Sequence, residues 1–200
     1  KIGDELGYDE AAALWFKGIT AHYLLKTTCP VGPGTRVLLY GAAGALGQIM
    51  VPWAKHLGAF VIGVVSNPES VERAKAAGCD AVLVFDAATL AAQVAELTGG
   101  EKVDVVYDPI GQVSFEDSLD SLRPLGLTVS FGMASGAPAP VEVSTLHAKD
   151  WWPASCAITA ASSALHPPTC NAVASRTRRQ TSPLTIAWVS PGCSRTRNGS

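Results

Sequence analysis

The sequence predicts a doubly wound, parallel α/β sheet with helices on both faces, left incomplete at its C-terminal end. Three observations predict it. A buried-strand run, Arg36-Val-Leu-Leu-Tyr40, passes directly into a glycine-spaced turn and an amphipathic helix. Strand and helix patterns then alternate from residue 36 to residue 131. Several strand runs, such as Phe60-Val-Ile-Gly-Val-Val65 and Val103-Asp-Val-Val-Tyr107, are rich in β-branched and apolar residues, as a parallel sheet covered from both sides requires.

Ahead of the first strand, residues 9–26 carry a helical pattern that reads as one or two helices, with Asp9 as N-cap and Gly18 as a break. Thr28-Cys-Pro-Val-Gly-Pro-Gly-Thr35 is a loop. The expected order is then strand 36–41, helix 45–57, strand 60–66, helix 68–77, strand 81–85, helix 87–98, strand 103–108, helix 113–122 and strand 126–131. Leu46, Met50, Trp53 and Leu57 give the first of these helices one apolar face for the sheet. Right-handed crossovers turn this alternation into a Rossmann sheet, with any ligand at the carboxyl ends of the strands.

Between strand 36–41 and its helix lies a phosphate-binding turn. Gly44 has no side chain to block a pyrophosphate, and Gly47 lets helix and strand pack closely. The free N–H groups and positive dipole end of the helix favour an anion. Against the fingerprint G-x-G-x-x-G ending at Gly47, Ala42 stands where the first glycine should be, so the pattern is Ala-x-Gly-x-x-Gly. Alone, such a turn is also the tight connection of any α/β protein, so its context has to decide.

With 200 residues, 48% of them hydrophobic, the chain can bury one α/β domain plus extra segments. Its apolar runs are short and interrupted, and no signal-peptide pattern opens it, so we expect a cytoplasmic protein with no membrane partner. It starts at Lys1 within what reads as a polar loop, as expected of a fragment. The five cysteines (Cys29, Cys79, Cys156, Cys170, Cys193) form no C-x-x-C pair, and His22, His56, His147 and His166 add no paired spacing. The sequence therefore predicts no disulfide framework and no metal site.

Every Asp and Glu lies at or before Asp150, whereas residues 151–200 hold five arginines and neither lysine nor acid. This divides the chain into residues 1–27, a leading helical segment, residues 28–150, the dinucleotide-binding domain, and residues 151–200, a Ser/Thr/Ala/Arg/Pro-rich tail without a sustained period. The tail reads either as an irregular polar extension or as an out-of-frame continuation of a gene. Ser175-Arg-Thr-Arg-Arg179 reads as a solvated cluster rather than a nucleic-acid patch. The formal sequon Asn198-Gly-Ser200 has no meaning in a cytosolic chain.

Four stretches carry a family resemblance: Phe16-Lys-Gly-Ile-Thr-Ala-His-Tyr-Leu-Leu25; Gly41-Ala-Ala-Gly-Ala-Leu-Gly47 with Trp53-Ala-Lys-His-Leu-Gly58; Asp104-Val-Val-Tyr-Asp-Pro-Ile-Gly111; and Val129-Ser-Phe-Gly-Met-Ala-Ser-Gly136. On these, residues 8 to about 150 resemble the zinc-free quinone oxidoreductase, or zeta-crystallin-like, branch of the medium-chain dehydrogenase/reductase superfamily. Alanine at the Ala42 position is usual in that branch. The resemblance implies a two-domain enzyme in which an upstream GroES-like barrel supplies much of the substrate pocket and NADPH lies in the cleft. Residues 1–27 would be the trailing helices of that barrel, and the catalytic residues would lie outside this sequence. The family's final strand and helices should follow position 150, where this sequence departs from the pattern.

The resemblance also implies roles. Lys17 and Thr20 would face the nicotinamide, with the Thr20 hydroxyl hydrogen-bonded to the carboxamide; the plain alternative is a surface lysine and an ordinary helical threonine. Ala43, Gly44, Ala45 and Leu46 would offer N–H groups to the pyrophosphate. Ile110 and Gly111 would lie beside the dinucleotide, and Phe131, Gly132 and Met133 beside the nicotinamide. The plain reading of all five is strand-end packing. At the end of the second strand the chain has Val65-Ser-Asn67, without the acid that an NAD enzyme commonly places there, which favours NADPH over NADH. Ser66, Asn67 and Arg73 would meet the 2′-phosphate. The family often has lysine where this chain has Ser70 and tyrosine where it has Phe85.

The expected function is hydride transfer from NADPH to a quinone or enone. Two alternatives stand beside it: a non-catalytic module holding a dinucleotide or single-stranded RNA, and an enoyl thioester reductase of the same superfamily. Nucleic acid is the less expected partner. A homodimer is expected only if the outer edge of the sheet is intact.

Overall fold

The computed structural model describes residue 3, residues 5–140 and the backbone of residues 155–158. Residues 141–154 and 159–200, with the arginine cluster, the sequon, His147, His166, Cys170 and Cys193, lie outside the described residues. The elements are α1 (Tyr8–His22), a π-helical turn (Tyr23–Thr28), β1 (Arg36–Tyr40), α2 (Gly47–His56), β2 (Phe60–Val65), a 3-10 turn (Pro68–Ser70), α3 (Val71–Ala77), β3 (Ala81–Val84), α4 (Leu90–Leu97), β4 (Val103–Asp108), α5 (Phe115–Asp120), β5 (Leu122–Ser130) and β6 (Ser155–Ile158). The six strands form one parallel sheet in the order β3-β2-β1-β4-β5-β6.

Alternation along the strands divides the core into two layers. Val37 and Leu39 of β1, with Val61, Val105 and Tyr107, pack against Leu24 and Leu25 of the π-helical turn, Met50, Val51 and Ala54 of α2, and Ala74 of α3. Leu38 and Tyr40, with Ile62, Val64 and Val106, face Leu90 and Val94 of α4 and Phe115 and Leu119 of α5. Both faces of β1 are therefore buried, which is why it reads as a continuous apolar run.

Four local expectations change. The helix expected to start at Asp9 is capped by Gly7, whose N–H donates to the Glu10 carboxylate at 3.2 Å, so Asp9 sits in the first turn. Gly18 does not break α1. A mid-helix glycine costs only about 1 kcal/mol, and the chain beyond it is anchored by burial of Ala21, Leu24 and Leu25. The helix expected at 68–77 opens as a 3-10 turn, because the Asn67 side chain accepts from the Ser70 N–H at 3.0 Å. Strand β5 starts at Leu122, not at 126. Val103 pairs with Leu122 and Val105 with Leu127, so Arg123–Gly126 bulge out, with Leu125 at φ 64. Pro124 and Gly126 made that bulge look like a turn.

Within the acid-free segment, where the sequence shows no period, Ser155–Ile158 forms a parallel strand on the outer edge of β5, with Thr128 opposite Cys156.

Candidate dinucleotide site

All the strands point the same way, so the turn after β1, the Ser66–Asn67 segment after β2 and the loops after β4 and β5 share the carboxyl edge of the sheet. The chain runs outward from β1 to β2 and β3, then crosses to β4 and runs outward the other way. A crevice is left between β1 and β4 at this edge, the usual place for a ligand in an open α/β sheet.

The turn after β1 is shaped for an anion. Gly41 and Ala42 donate their N–H groups to the Val64 carbonyl at 2.9 and 3.3 Å, and Gly44 donates to the Gly41 carbonyl at 2.8 Å. The N–H groups of Ala43, Ala45, Leu46 and Gly47 have no partner among the described residues. Gly44 thus contributes its missing side chain rather than a free amide, and Gly47 adds a free amide that the sequence reading did not include. No acidic residue occupies the first turn of α2, so its positive end is unquenched. A Cβ on Gly47 would lie 2.3 Å from the Ala42 carbonyl oxygen, which is why glycine stands there. Ala42 fits in place of the first glycine because β2 makes room: a Cβ on Gly63 would lie 2.8 Å from the Ala42 methyl and 2.7 Å from Cys79 Sγ. Unpaired amides at a helix N-terminus and a backbone open to close approach fit the pyrophosphate of a dinucleotide.

At the end of β2, Ser66, Asn67 and Arg73 are exposed. The Asn67 carbonyl oxygen is committed to Ser70, and its amide nitrogen donates to Ser66 Oγ at 3.4 Å. Gln48 Nε2 donates to the Arg73 carbonyl at 3.5 Å, tying α3 to α2 behind this segment.

The loops after β4 and β5 are laced together. Phe131 N–H donates to the Asp108 carbonyl at 2.9 Å, Ser135 N–H to Ile110 O at 2.8 Å, and Gln112 N–H to Gly136 O at 3.0 Å. Ser135 Oγ donates to the same Ile110 carbonyl at 2.9 Å. Gly111, at φ 95, has no room for a side chain, since a Cβ would lie 2.5 Å from Gly136 O. Ile110, Gly111, Phe131 and Gly132 are thereby brought into one wall, with Met133 exposed on it.

Beneath that wall lies a group to which the sequence reading gave no role. Asp108 is fully buried. Its Oδ1 accepts from Ile110 N–H at 2.7 Å and Gly111 N–H at 3.2 Å. Ser114 Oγ lies 2.9 and 2.8 Å from the two carboxylate oxygens. Ser118 Oγ lies 3.1 Å from Oδ2 and 3.3 Å from Tyr40 Oη. The geometry fits a carboxylate accepting from both serines, with Ser118 accepting in turn from Tyr40. Burial pushes the Tyr40 hydroxyl far above its usual range, so it stays protonated and able to donate. An acid ending a buried strand, with serines at spacing 4 at the N-cap and in the next helix, was the available signal.

Lys17 and Thr20 are partly buried on α1. Thr20 Oγ1 donates to Phe16 O at 2.9 Å, which leaves its lone pairs free to accept. Among the described residues neither side chain bonds to the loops at the sheet edge. Helix α1 is tied to the sheet farther along: Tyr107 Oη donates to Leu24 O at 3.0 Å, and the His22 and Trp53 rings lie 5.9 Å apart. Tyr23, also given no role from sequence, carries a buried hydroxyl with no partner among the described residues.

Among the described residues no three of His, Cys, Asp and Glu are grouped as metal ligands, and no helix is long and apolar enough to cross a membrane. A cleft bordered by Cys29, Pro33, Asp104, Arg123 and Leu125 opens at the amino edge of the sheet, opposite the phosphate turn, and is no part of this site.

Comparison with known proteins gives the family. Residues 45–152 match the family described as zinc-binding dehydrogenase. The chain belongs to that family. It falls in the zinc-free quinone oxidoreductase branch of the medium-chain dehydrogenase/reductase superfamily, as its four landmark stretches imply. It is 48% identical over 145 residues to 2-haloacrylate reductase from a Burkholderia species, a match covering 72% of this chain and 44% of that protein. Its fold is similar to that of the quinone oxidoreductase of Pseudomonas syringae, with TM-score 0.73 and 43% identity over 80% of this chain and 48% of the other. The Escherichia coli quinone oxidoreductase, solved in complex with NADPH, matches with TM-score 0.69 and 40% identity over 74% and 45% of the two chains. The chain thus spans less than half the length of the relatives it matches.

Proposed function

We propose that this chain is the dinucleotide-binding part of an NADPH-dependent reductase that passes hydride to a quinone or an enone. The observation that carries the proposal is the turn after β1, with four unpaired N–H groups at an unquenched helix end and a glycine seam that excludes side chains. When bound, the nicotinamide supplies the hydride, and the protein's task is to hold it in place. Ala43, Ala45, Leu46 and Gly47 bind the pyrophosphate through their amides. Ser66, Asn67 and Arg73 take the 2′-phosphate, and the missing acid at that position disfavours NADH. Ile110, Gly111, Phe131, Gly132 and Met133 shield the nicotinamide from water. Thr20 accepts from its carboxamide, and Lys17 lies on the same helix. The acceptor pocket and catalytic residues come from parts of the enzyme outside this chain, and no metal is required. The similarity to quinone oxidoreductases and to a 2-haloacrylate reductase supports an acceptor with an electron-poor conjugated double bond. If two copies pair, β6 is the edge through which they do so.

The test is titration with NADPH and with NADH, followed by nicotinamide fluorescence, using the native chain and Ala45→Asp. Ala45 is exposed just before α2, so an acid there supports the helix while repelling phosphate. We expect saturable NADPH binding, weaker NADH binding, and a loss of about tenfold or more in the variant with its melting unchanged. A folded native chain that binds neither nucleotide overturns the proposal.

A further inference from the structure

Asp108 makes no contact that hydride transfer would require, yet it is one of the most completely engaged side chains in the molecule. We propose that Asp108, with Ser114 and Ser118, is a positioning residue that sets the shape of the nicotinamide-side wall and anchors that wall to β1. The inference rests on the dinucleotide reading above.

Three features support it. The carboxylate is fully buried, and every group around it donates: two amides of the loop it shapes, the hydroxyl of Ser114 at the N-cap of α5 and that of Ser118 within the helix. A buried carboxylate is costly unless its acceptor sites are filled, so this arrangement fixes four donors at once. Second, the same residue holds both loops of the wall. Its side chain holds Ile110 and Gly111, and its main-chain carbonyl accepts from Phe131. Third, the network ends on a foot held independently. Tyr40 is fixed by its place in β1 and by an edge contact with Phe85, whose ring centroid lies 5.9 Å away. Loss of the network therefore frees the wall without loosening the phosphate turn, whose own hydrogen bonds run to Val64 and Gly41. Asp108 acts on the nicotinamide end of the ligand and leaves the phosphate end alone.

The experiment compares two ligands on the full chain: NADPH, and 2′-phospho-ADP-ribose, which lacks the nicotinamide. Affinities are measured by calorimetry for the native protein, Ser114→Ala, Asp108→Ala and Asp108→Asn. Removing one acceptor or donor from this buried set is expected to weaken NADPH binding about fivefold or more, with 2′-phospho-ADP-ribose unchanged within about twofold. Asp108→Asn keeps an oxygen for the two amides and should recover most of the loss seen with Asp108→Ala. If Asp108→Ala does not fold, Ser114→Ala decides alone. Equal losses for the two ligands, or no loss for either in folded variants, overturn the positioning role. If the native chain binds 2′-phospho-ADP-ribose but not NADPH, the phosphate turn works and the wall does not, which overturns this inference alone. If it binds neither, the dinucleotide reading and this inference fall together.

Discussion

The loops after β1 and β4 leave neighbouring strands at one edge of the sheet, and each is a glycine-containing turn running into a helix, yet they use their N–H groups in opposite ways. After β1, the amides of Ala43, Ala45, Leu46 and Gly47 have no partner among the described residues. After β4, the protein's own carboxylate takes the amides of Ile110 and Gly111. The first loop keeps four amides unpaired among the described residues, and the second is completed from within. The same backbone device can thus make a binding site or a rigid wall, depending on whether the preceding strand ends in a side chain that can fold over and fill the turn. β1 ends in Tyr40, whose ring turns into the core, while β4 ends in Asp108.

The contrast can be broken most severely at the filled loop. Asp108→Ala leaves two amides and two hydroxyls without their acceptor in a dry site, and it should cost about 3 kcal/mol or more in urea unfolding. A cost below about 1 kcal/mol would mean that those groups find other partners. Next comes the open loop. Gly47→Ala drives a Cβ against backbone at 2.3 Å and should cost about 2–3 kcal/mol, whereas Gly44→Ala, at 3.1 Å from Gly41 O, should cost less than half as much. Equal costs would show that the turn shifts freely. Tyr107→Phe, which removes the bond to Leu24 O behind both loops, should cost about 1 kcal/mol and leave the wall intact in hydrogen exchange.

The smallest effect lies in titration under the open loop. Burial beside Gly63 pushes the Cys79 thiol up to about 11 from its ordinary 9.0, helped by the Asp80 charge. The folded chain keeps this proton longer than the unfolded one, so the thiol's contribution is intact below pH 9 and declines as pH rises through 11. Cys79→Ala should flatten that decline slightly. An unchanged slope would place the alkaline sensitivity on the buried tyrosines instead, whose hydroxyls are also pushed upward.

The open loop was legible because its signal is local: an apolar run, glycines at fixed spacing and an apolar helical face all lie within residues 36–57. Even its irregular Ala42 has a cause that local reading could not supply, since the room for that methyl comes from Gly63 in another strand. In the filled loop the resemblance pointed to Ile110 and Gly111 beside the dinucleotide, but not to the carboxylate that holds them. Asp108 acquires its role from Ser114, Ser118 and Tyr40, which are brought to it by the turn of α5 and the β1–β4 pairing. The bulge in β5 was hidden because Pro124 and Gly126 are ordinary turn residues, and only pairing with β4 shows that the strand resumes across them. Strand β6 has no periodic signal of its own, and it is the edge of β5 that gives it partners.

The strand order has a kinetic meaning as well. Pairing β1 with β2, β2 with β3 and β4 with β5 joins residues separated by one short crossover, whereas the β1–β4 seam, with Asp104 accepting from the Arg36 N–H, closes across 68 residues. Closing the longer loop adds only about 1 kcal/mol of chain entropy, but it makes the seam the late step in assembly and the natural line along which the sheet would open. The two halves should behave as separate cooperative units in native-state hydrogen exchange, joined by Asp104 at one end of the seam and by the Tyr40–Ser118–Asp108 relay at the other. A ligand lying across the crevice would then act as a third rivet, slowing exchange most in the amides of β1 and β4 and least in those of β3.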